Sequence, residues 1–141
     1  MTHDELIARE EIYDALVAYA TATGSKDWAA YRRCFSPEAT VDYTSAGGVS
    51  GTIDDAVAWL EPSMAIFDVA TFQVSNVVYA FDGPDRCNVR SMFHTVMRIP
   101  GADEAPPTYV RAGGYHDDVV TKGADGWKIA RRVEQFLFAQ M

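Results

Sequence analysis

The sequence has few cysteines and few histidines. Its 141 residues include two cysteines, Cys34 and Cys87, and three histidines. Each cysteine lies within a patterned segment and neither belongs to a closely spaced metal or redox motif, so we predict buried free thiols, with a long-range disulfide as the less favoured alternative. The histidines are isolated, and no glycine-rich loop is followed by the lysine that a phosphate site needs. We therefore expect no metal and no cofactor.

Positive charge and long apolar runs are also scarce. The 12 Lys and Arg residues are scattered among 20 Asp and Glu, which gives a net charge of −8. Nothing could neutralise a row of phosphates, so nucleic acid is not an expected partner. No stretch approaches the roughly 18 apolar residues of a membrane helix, and the first residues are acidic, unlike a signal peptide. We expect no membrane association and a cytoplasmic location.

What the chain does have is the composition of a folded domain. Apolar residues make up 48% and charged residues 23% of the sequence, which is ordinary for globular proteins. A chain of this length can bury a core without a disulfide or a metal. Since neither an internal repeat nor a linker is visible, we predict a single domain over residues 1–141.

Two helices are predicted first. Thr2 and Glu5 have the spacing of a capping box, and apolar residues follow at helical intervals up to residue 20. After a glycine, either Ser25 or Asp27 can cap a short second helix, which Pro37 stops. Residues 39–45 are then typical of a strand.

The remainder predicts one more helix and a long antiparallel meander. The third helix begins near residue 52 and runs through residue 60, after which Pro62 loosens or ends it. Four β-rich segments follow, separated by turn sequences at 82–85 and 123–126 and by a loop at 100–107. The segments cover residues 71–81, 87–99, 108–120 and 127–138. The order ααβαββββ favours an α+β architecture over a doubly wound parallel sheet.

A pair of glycines, Gly113 and Gly114, interrupts the fourth strand. Glycine weakens a strand unless it permits a bulge, a bend or a close approach. We interpret the pair as a sharp bend that curves the sheet, so that the helices cover a concave face and leave a pocket where they do not fill it.

Four segments carry a resemblance to a known family, namely residues 25–43, 72–76, 113–117 and 126–132. They resemble the SnoaL-like branch of the nuclear-transport-factor-2-like superfamily, and residues 25–43 are especially similar to scytalone dehydratase. The resemblance covers nearly the whole chain. It implies a cystatin-like cone in which N-terminal helices close over a curved, mixed, mostly antiparallel sheet. It also implies a homodimer formed through the outer sheet face.

The sequence departs from the family at the two residues that remove a proton in dehydratase-type members. Dehydratase-type members carry an aspartate three residues before an Asp-Trp pair and a histidine four residues before an asparagine. Gly24 and Phe72 occupy these positions here. Asp27 belongs to the helix start, so we interpret it as a cap and not as a substitute base.

Two other residues are the candidates for chemistry. Tyr43 matches a tyrosine that the resemblance implies polarises a carbonyl, although a tyrosine of the core is an equal alternative. His116 is the one credible histidine base, and alternation places it on a face with Gly114 and Asp118 if the double glycine does not shift the register. His94 is expected to face the opposite side of the sheet.

The other expected binding residues are mainly aromatic. An inward Arg132 could bind an enolate oxygen or carboxylate, or could pair with Glu134 or another core acid, which is the favoured alternative. The expected substrate-binding set is Tyr19, Trp59, Phe72, Asn76, Phe93 and Arg132.

The leading functional hypothesis is a cofactor-independent lyase, isomerase or cyclase. Its substrate would be a small, apolar, cyclic or polyketide-like molecule, with Tyr43 polarising a carbonyl and His116 moving a proton. One alternative is a non-catalytic binding protein, which the loss of the usual pair favours. Another is a dimerisation module whose concave face is packed solid.

Overall fold

The structure, a computed structural model, describes residues 1–141 and contains three α-helices and six strands. The helices are α1 (His3–Ser25), α2 (Trp28–Arg33) and α3 (Ile53–Met64). The strands are β1 (Phe35–Asp42), β2 (Ser50–Thr52), β3 (Val69–Phe81), β4 (Arg86–Ile99), β5 (Thr108–Gly123) and β6 (Gly126–Gln140). No helix is both long enough and apolar enough to cross a membrane.

Side-chain caps fix where the helices begin. Thr2 and Glu5 form the predicted capping box of α1. Of the two candidates for capping α2, Asp27 is the cap and accepts a hydrogen bond from the Ala30 amide at 3.0 Å. A second capping box starts α3, which continues through Pro62 to Met64, so Pro62 does not end the helix.

The six strands form one sheet in the order β2-β1-β6-β5-β4-β3. Only the contact between β1 and β6 is parallel, so the sheet is mixed and mostly antiparallel, as predicted. The predicted element order missed β2, because three residues are too few to show an alternating pattern. Strand β1 begins at Phe35, earlier than predicted, and Pro37 lies where its pairing with β6 is irregular.

The double glycine lies at a bulge between β5 and β6. Gly113 pairs with Phe138 but Gly114 pairs with Phe136, which leaves Leu137 without a partner position. A Cβ atom at Gly114 would lie 1.9 Å from the Gln135 carbonyl oxygen, so no other residue fits without moving the backbone. The predicted irregularity is therefore a close approach between two strands, and it increases the local twist of the sheet.

Helices α1 and α3 cover the concave face of the sheet. On β4, Ser91, Phe93 and Thr95 are buried, and His94 is exposed on the opposite side of the sheet, as predicted. On β5, Gly114, His116 and Asp118 share the buried face. Both cysteines are buried free thiols, one in each of the two apolar clusters of the core.

Candidate functional site

A cavity of about 220 Å³ remains under the helices on the concave face. Fifteen residues line it and 11 of them are hydrophobic, so a ligand inside would lose most of its contact with water. Five residues predicted from the sequence are in its wall: Tyr19, Tyr43, Trp59, Phe72 and Phe93. The other polar lining groups are Thr23, Ser63, Thr95 and Glu134.

Three tyrosine hydroxyls meet beside the cavity. The Tyr43 hydroxyl lies 2.8 Å from that of Tyr19 and 2.7 Å from that of Tyr31. Burial raises the pKa of all three phenols, so they stay protonated at neutral pH. Two hydrogen bonds use two of the three hydroxyl protons, and the third is available to another acceptor. When both neighbours donate to Tyr43, that proton belongs to Tyr43, which lines the cavity.

A buried ion pair lies next to the tyrosines. Arg132 donates from Nε and Nη2 to the two carboxylate oxygens of Asp118, both at 2.8 Å, and the two side chains are 1% and 0% exposed. The guanidinium carbon also lies 3.9 Å from the centre of the Tyr19 ring. Arg132 is therefore inward and paired with a core acid, which is the alternative that the sequence favoured, and it does not line the cavity.

Glu134 brings a carboxyl group to the cavity wall. It follows Arg132 by two residues on β6, so the alternation of the strand places both side chains inside. Its Oε2 atom lies 2.8 Å from Nε2 of His116. Burial raises the pKa of Glu134 to about 7, although nearby Arg132 acts in the opposite direction.

His116 lies behind this wall instead of in it. Its ring stacks on Phe93 with centroids 4.6 Å apart and meets the edge of Tyr19 at 5.7 Å. Burial lowers the pKa of His116 well below its ordinary value, and Arg132 acts in the same direction. The imidazole is therefore neutral, and one proton is shared in its hydrogen bond with Glu134.

Gly24 and Phe72, at the positions where the resemblance implies a carboxylate and a histidine, are neighbours. A Cβ atom at Gly24 would lie 3.7 Å from Cδ2 of Phe72 and 2.9 Å from the Ala70 carbonyl oxygen. The space that an aspartate would need is thus partly taken by backbone. Phe72 contributes only an apolar wall to the cavity.

Asn76 is, after Arg132, the second predicted binding residue that does not line the cavity. It is exposed, has a φ of 52°, and lies where the pairing of β3 with β4 is irregular between Ser75 and Val78. This left-handed conformation is one that asparagine tolerates better than most residues, so the side chain fits a local bulge and does not line the cavity.

Sequence reasoning did not select Glu134, Thr95 or Asp118 as site residues. The sequence indicates Glu134 only as a partner for Arg132, although its spacing of two residues from an inward arginine is a signal that it also faces inward. No group of three or more His, Cys, Asp or Glu side chains is arranged to hold a metal ion.

Comparison with known proteins places this cone and its pocket in a family. The sequence profile of the SnoaL-like domain matches residues 4–133. The uncharacterised protein Rv2910c of Mycobacterium tuberculosis is 30% identical over 137 residues, which cover 97% of this chain and 90% of that protein. Mb2934c of Mycobacterium bovis, also uncharacterised, matches with the same identity and coverage.

Solved structures show the same fold at lower identity. A protein of Novosphingobium aromaticivorans, provisionally named a scytalone dehydratase, superposes with a TM-score of 0.87 at 20% identity and covers 99% of this chain and 91% of its own. The hexachlorocyclohexane dehydrochlorinase LinA-type3 of Novosphingobium barchaimii gives 0.80 at 11% identity, with 97% and 91% covered. The architecture is that of the nuclear-transport-factor-2-like proteins. Within that class, the chain belongs to the SnoaL-like domain family.

Proposed function

We propose that the chain is a cofactor-independent lyase, isomerase or cyclase in which Glu134, supported by His116, moves the proton. The observation that carries this proposal is the Glu134 carboxyl group in the wall of an apolar cavity, 2.8 Å from His116, where burial raises its pKa to about 7. A general base works best when its pKa lies near the working pH, because enough of it is ionised and it still binds the proton firmly. This assignment replaces His116, which the sequence favoured as the base.

The reaction would begin with removal of a proton next to a carbonyl. The Glu134 carboxylate takes the proton, and the electrons of the broken C–H bond move to the carbonyl oxygen to give an enolate. The protonated Glu134 then returns the proton to another carbon, which gives isomerisation, or to a departing hydroxyl, which gives elimination with loss of water. His116 orients the carboxyl group through its 2.8 Å hydrogen bond throughout.

Tyr43 is the candidate for holding the carbonyl oxygen. Its hydroxyl lies between two other tyrosine hydroxyls at 2.8 and 2.7 Å. If both donate to Tyr43, its own proton is directed away from them and can be donated to the oxygen of a developing enolate. The phenol is neutral, so placing it in the wall of an apolar cavity does not require an ion to be removed from water.

The cavity favours a neutral and largely apolar substrate. Its single ionisable carboxyl is Glu134, no lysine or arginine lines it, and Arg132 is already paired with Asp118. A carboxylate ligand would therefore meet repulsion without a free cation to compensate. Aromatic walls from Trp59, Phe72 and Phe93 suit a flat ring system.

The test is enzyme-catalysed exchange of ketone α-protons. 2-Tetralone is incubated with the protein in D₂O, and loss of the α-proton signals is followed by NMR against a buffer blank. We expect exchange above the blank, a fall of about a hundredfold or more for Glu134→Gln, and a fall of roughly tenfold or more for Tyr43→Phe. The exposed Glu38→Gln is the matched control and should exchange at the wild-type rate.

A non-catalytic binding protein is the second candidate, and Gly24 and Phe72 favour it. In that case 2-tetralone would bind without exchange above the blank. If the wild type exchanges above the blank and Glu134→Gln exchanges at the same rate, Glu134 has no part in the mechanism.

A further inference from the structure

Thr95 is a residue of the cavity wall, and its buried hydroxyl has no hydrogen-bond partner. The residue is 2% exposed, its Oγ1 atom has no hydrogen-bond partner, and it is part of the cavity wall. A buried hydroxyl without a partner costs free energy, so native proteins leave few of them. The other two small hydroxyls of the wall are satisfied, because Thr23 donates to the Tyr19 carbonyl and Ser63 to the Trp59 carbonyl.

The neighbours of Thr95 explain why its hydroxyl is free. Across the sheet, Thr95 pairs with Phe72 on one side and with Ala112 on the other. Neither side chain has an atom that can donate or accept a hydrogen bond. A hydrogen-bond partner for the Thr95 hydroxyl must therefore come from a molecule that enters the cavity.

Thr95 lies far along the sheet from Glu134. Glu134 pairs with His116, and His116 pairs with Ser91, so these three residues form one row across the sheet. Thr95 is four residues further along β4, which corresponds to roughly 13 Å of strand. Apolar Phe93 and Phe136 lie in the row between them and also line the cavity.

We propose that Thr95 is a specificity-determining residue that binds a hydroxyl or carbonyl oxygen at the end of the substrate remote from Glu134. The ligand class is then a neutral ring system with an oxygen at each end, the reacting carbonyl near Glu134 and Tyr43 and a second oxygen at Thr95. This inference rests on the proposed function for the identity of the reacting end. The binding role of Thr95 itself needs no turnover.

The experiment compares two probes that differ at the remote end only. 6-Hydroxy-2-tetralone and 6-methyl-2-tetralone have nearly the same shape, but only the first carries an oxygen opposite the ketone. Dissociation constants are measured by NMR titration. For Thr95→Val, which keeps the shape of threonine and removes the hydroxyl, we expect the hydroxy probe to bind roughly three- to tenfold more weakly and the methyl probe to bind as before.

Thr95→Ser is the matched control, since it keeps the hydroxyl and should keep the preference for the hydroxy probe. An equal change for both probes in Thr95→Val would overturn the proposal, because the hydroxyl would then serve packing or a water molecule only. A melting temperature that falls in Thr95→Val would also count against it, since removal of an unpartnered buried hydroxyl should leave the fold as stable or more stable.

Failure of the proposed function is distinguishable from failure of this inference. Glu134→Gln should keep the preference for the hydroxy probe even when α-proton exchange is lost. If the wild type shows that preference and no exchange, Thr95 retains its binding role and the protein is a binding module. If exchange occurs and the preference is absent, the enzyme proposal stands and the role of Thr95 is wrong.

Discussion

The Nε2 atom of His116 lies 2.8 Å from Oε2 of Glu134, at directly paired positions of β5 and β6. The contact couples an imidazole to a carboxyl group inside the cone, although Gly24 and Phe72 occupy the positions where the family resemblance implies such a couple. The order of the groups is also different. Here the carboxyl faces the cavity and the imidazole supports it from behind.

The raised pKa of Glu134 predicts how stability depends on pH. The folded-state pKa of about 7 exceeds the ordinary value of 4.5, so the folded state holds more protons than the unfolded state between these values. The free energy of unfolding must then fall as the pH rises through this window, by roughly 3 kcal/mol for this group. The stabilisation by the proton is complete below about pH 4.5 and is lost above about pH 7.

Glu134→Gln should remove this dependence. We expect the variant to gain roughly 3 kcal/mol relative to the wild type between pH 4.5 and 8, as measured by urea unfolding at several pH values. His116, whose pKa is lowered, destabilises the fold in acid, but it is present in both proteins. Parallel pH profiles for the two proteins would show that the carboxyl group is not perturbed.

The buried pair of Arg132 and Asp118 predicts a strong coupling in stability. Arg132→Met leaves a buried carboxylate without its partner, and this should lower the free energy of unfolding by about 3–5 kcal/mol. The double variant Arg132→Met with Asp118→Val removes both charges and should recover most of that loss. Denaturant unfolding of the wild type, of Arg132→Met and Asp118→Val singly, and of the double variant completes a double-mutant cycle.

A neighbouring exposed pair provides the control. Arg90 makes the same two-bond contact with Asp117 at 2.7 and 2.9 Å, between β4 and β5, but the side chains are 52% and 43% exposed. Water screens that pair, so Arg90→Met should change stability little. Equal losses for the two arginines would contradict the assignment of the larger effect to burial.

Much of the fold was accessible from the sequence because its signals are local. Capping residues such as Thr2 and Asp27, turn sequences and β-rich segments each act over a few residues, and they predicted three helices and five of the six strands. Alternation along β5 also predicted that His116 and Asp118 share an inward face, although neither lines the cavity. Each of these features can be recognised within a single segment of the chain.

The site was less accessible because it depends on register between strands. Whether His116 lies in the wall or behind it is decided by its pairing with Glu134, and the bulge at Gly114 shifts that pairing. The Thr95 hydroxyl has no hydrogen-bond partner across the sheet because its paired residues there are the apolar Phe72 and Ala112. No pattern within one strand carries information about the partner residue on the next.

The bulge itself gives a further prediction. In Gly114→Ala the new Cβ atom would meet the Gln135 carbonyl oxygen at 1.9 Å, so strand β6 would have to move. We expect the free energy of unfolding to fall by about 3 kcal/mol or more. Gly123→Ala, on the same strand with nothing within 4 Å of its added atom, should stay within about 0.5 kcal/mol of the wild type. Thermal unfolding separates the two, and a Gly114→Ala protein as stable as Gly123→Ala would refute the close approach.

Variants of Asp27 can distinguish a helix-capping role of this residue from a catalytic role. It is exposed, it accepts a hydrogen bond from the Ala30 amide at 3.0 Å, and it does not line the cavity. Asp27→Ala should therefore lower the free energy of unfolding by about 1 kcal/mol, while Asp27→Asn, which can also cap, should be close to the wild type. Neither change should slow the exchange of 2-tetralone protons at a temperature where both proteins are folded. If Asp27→Asn kept its stability but lost exchange, a carboxylate at this position would be required for the chemistry, and Glu134 could no longer be the sole base.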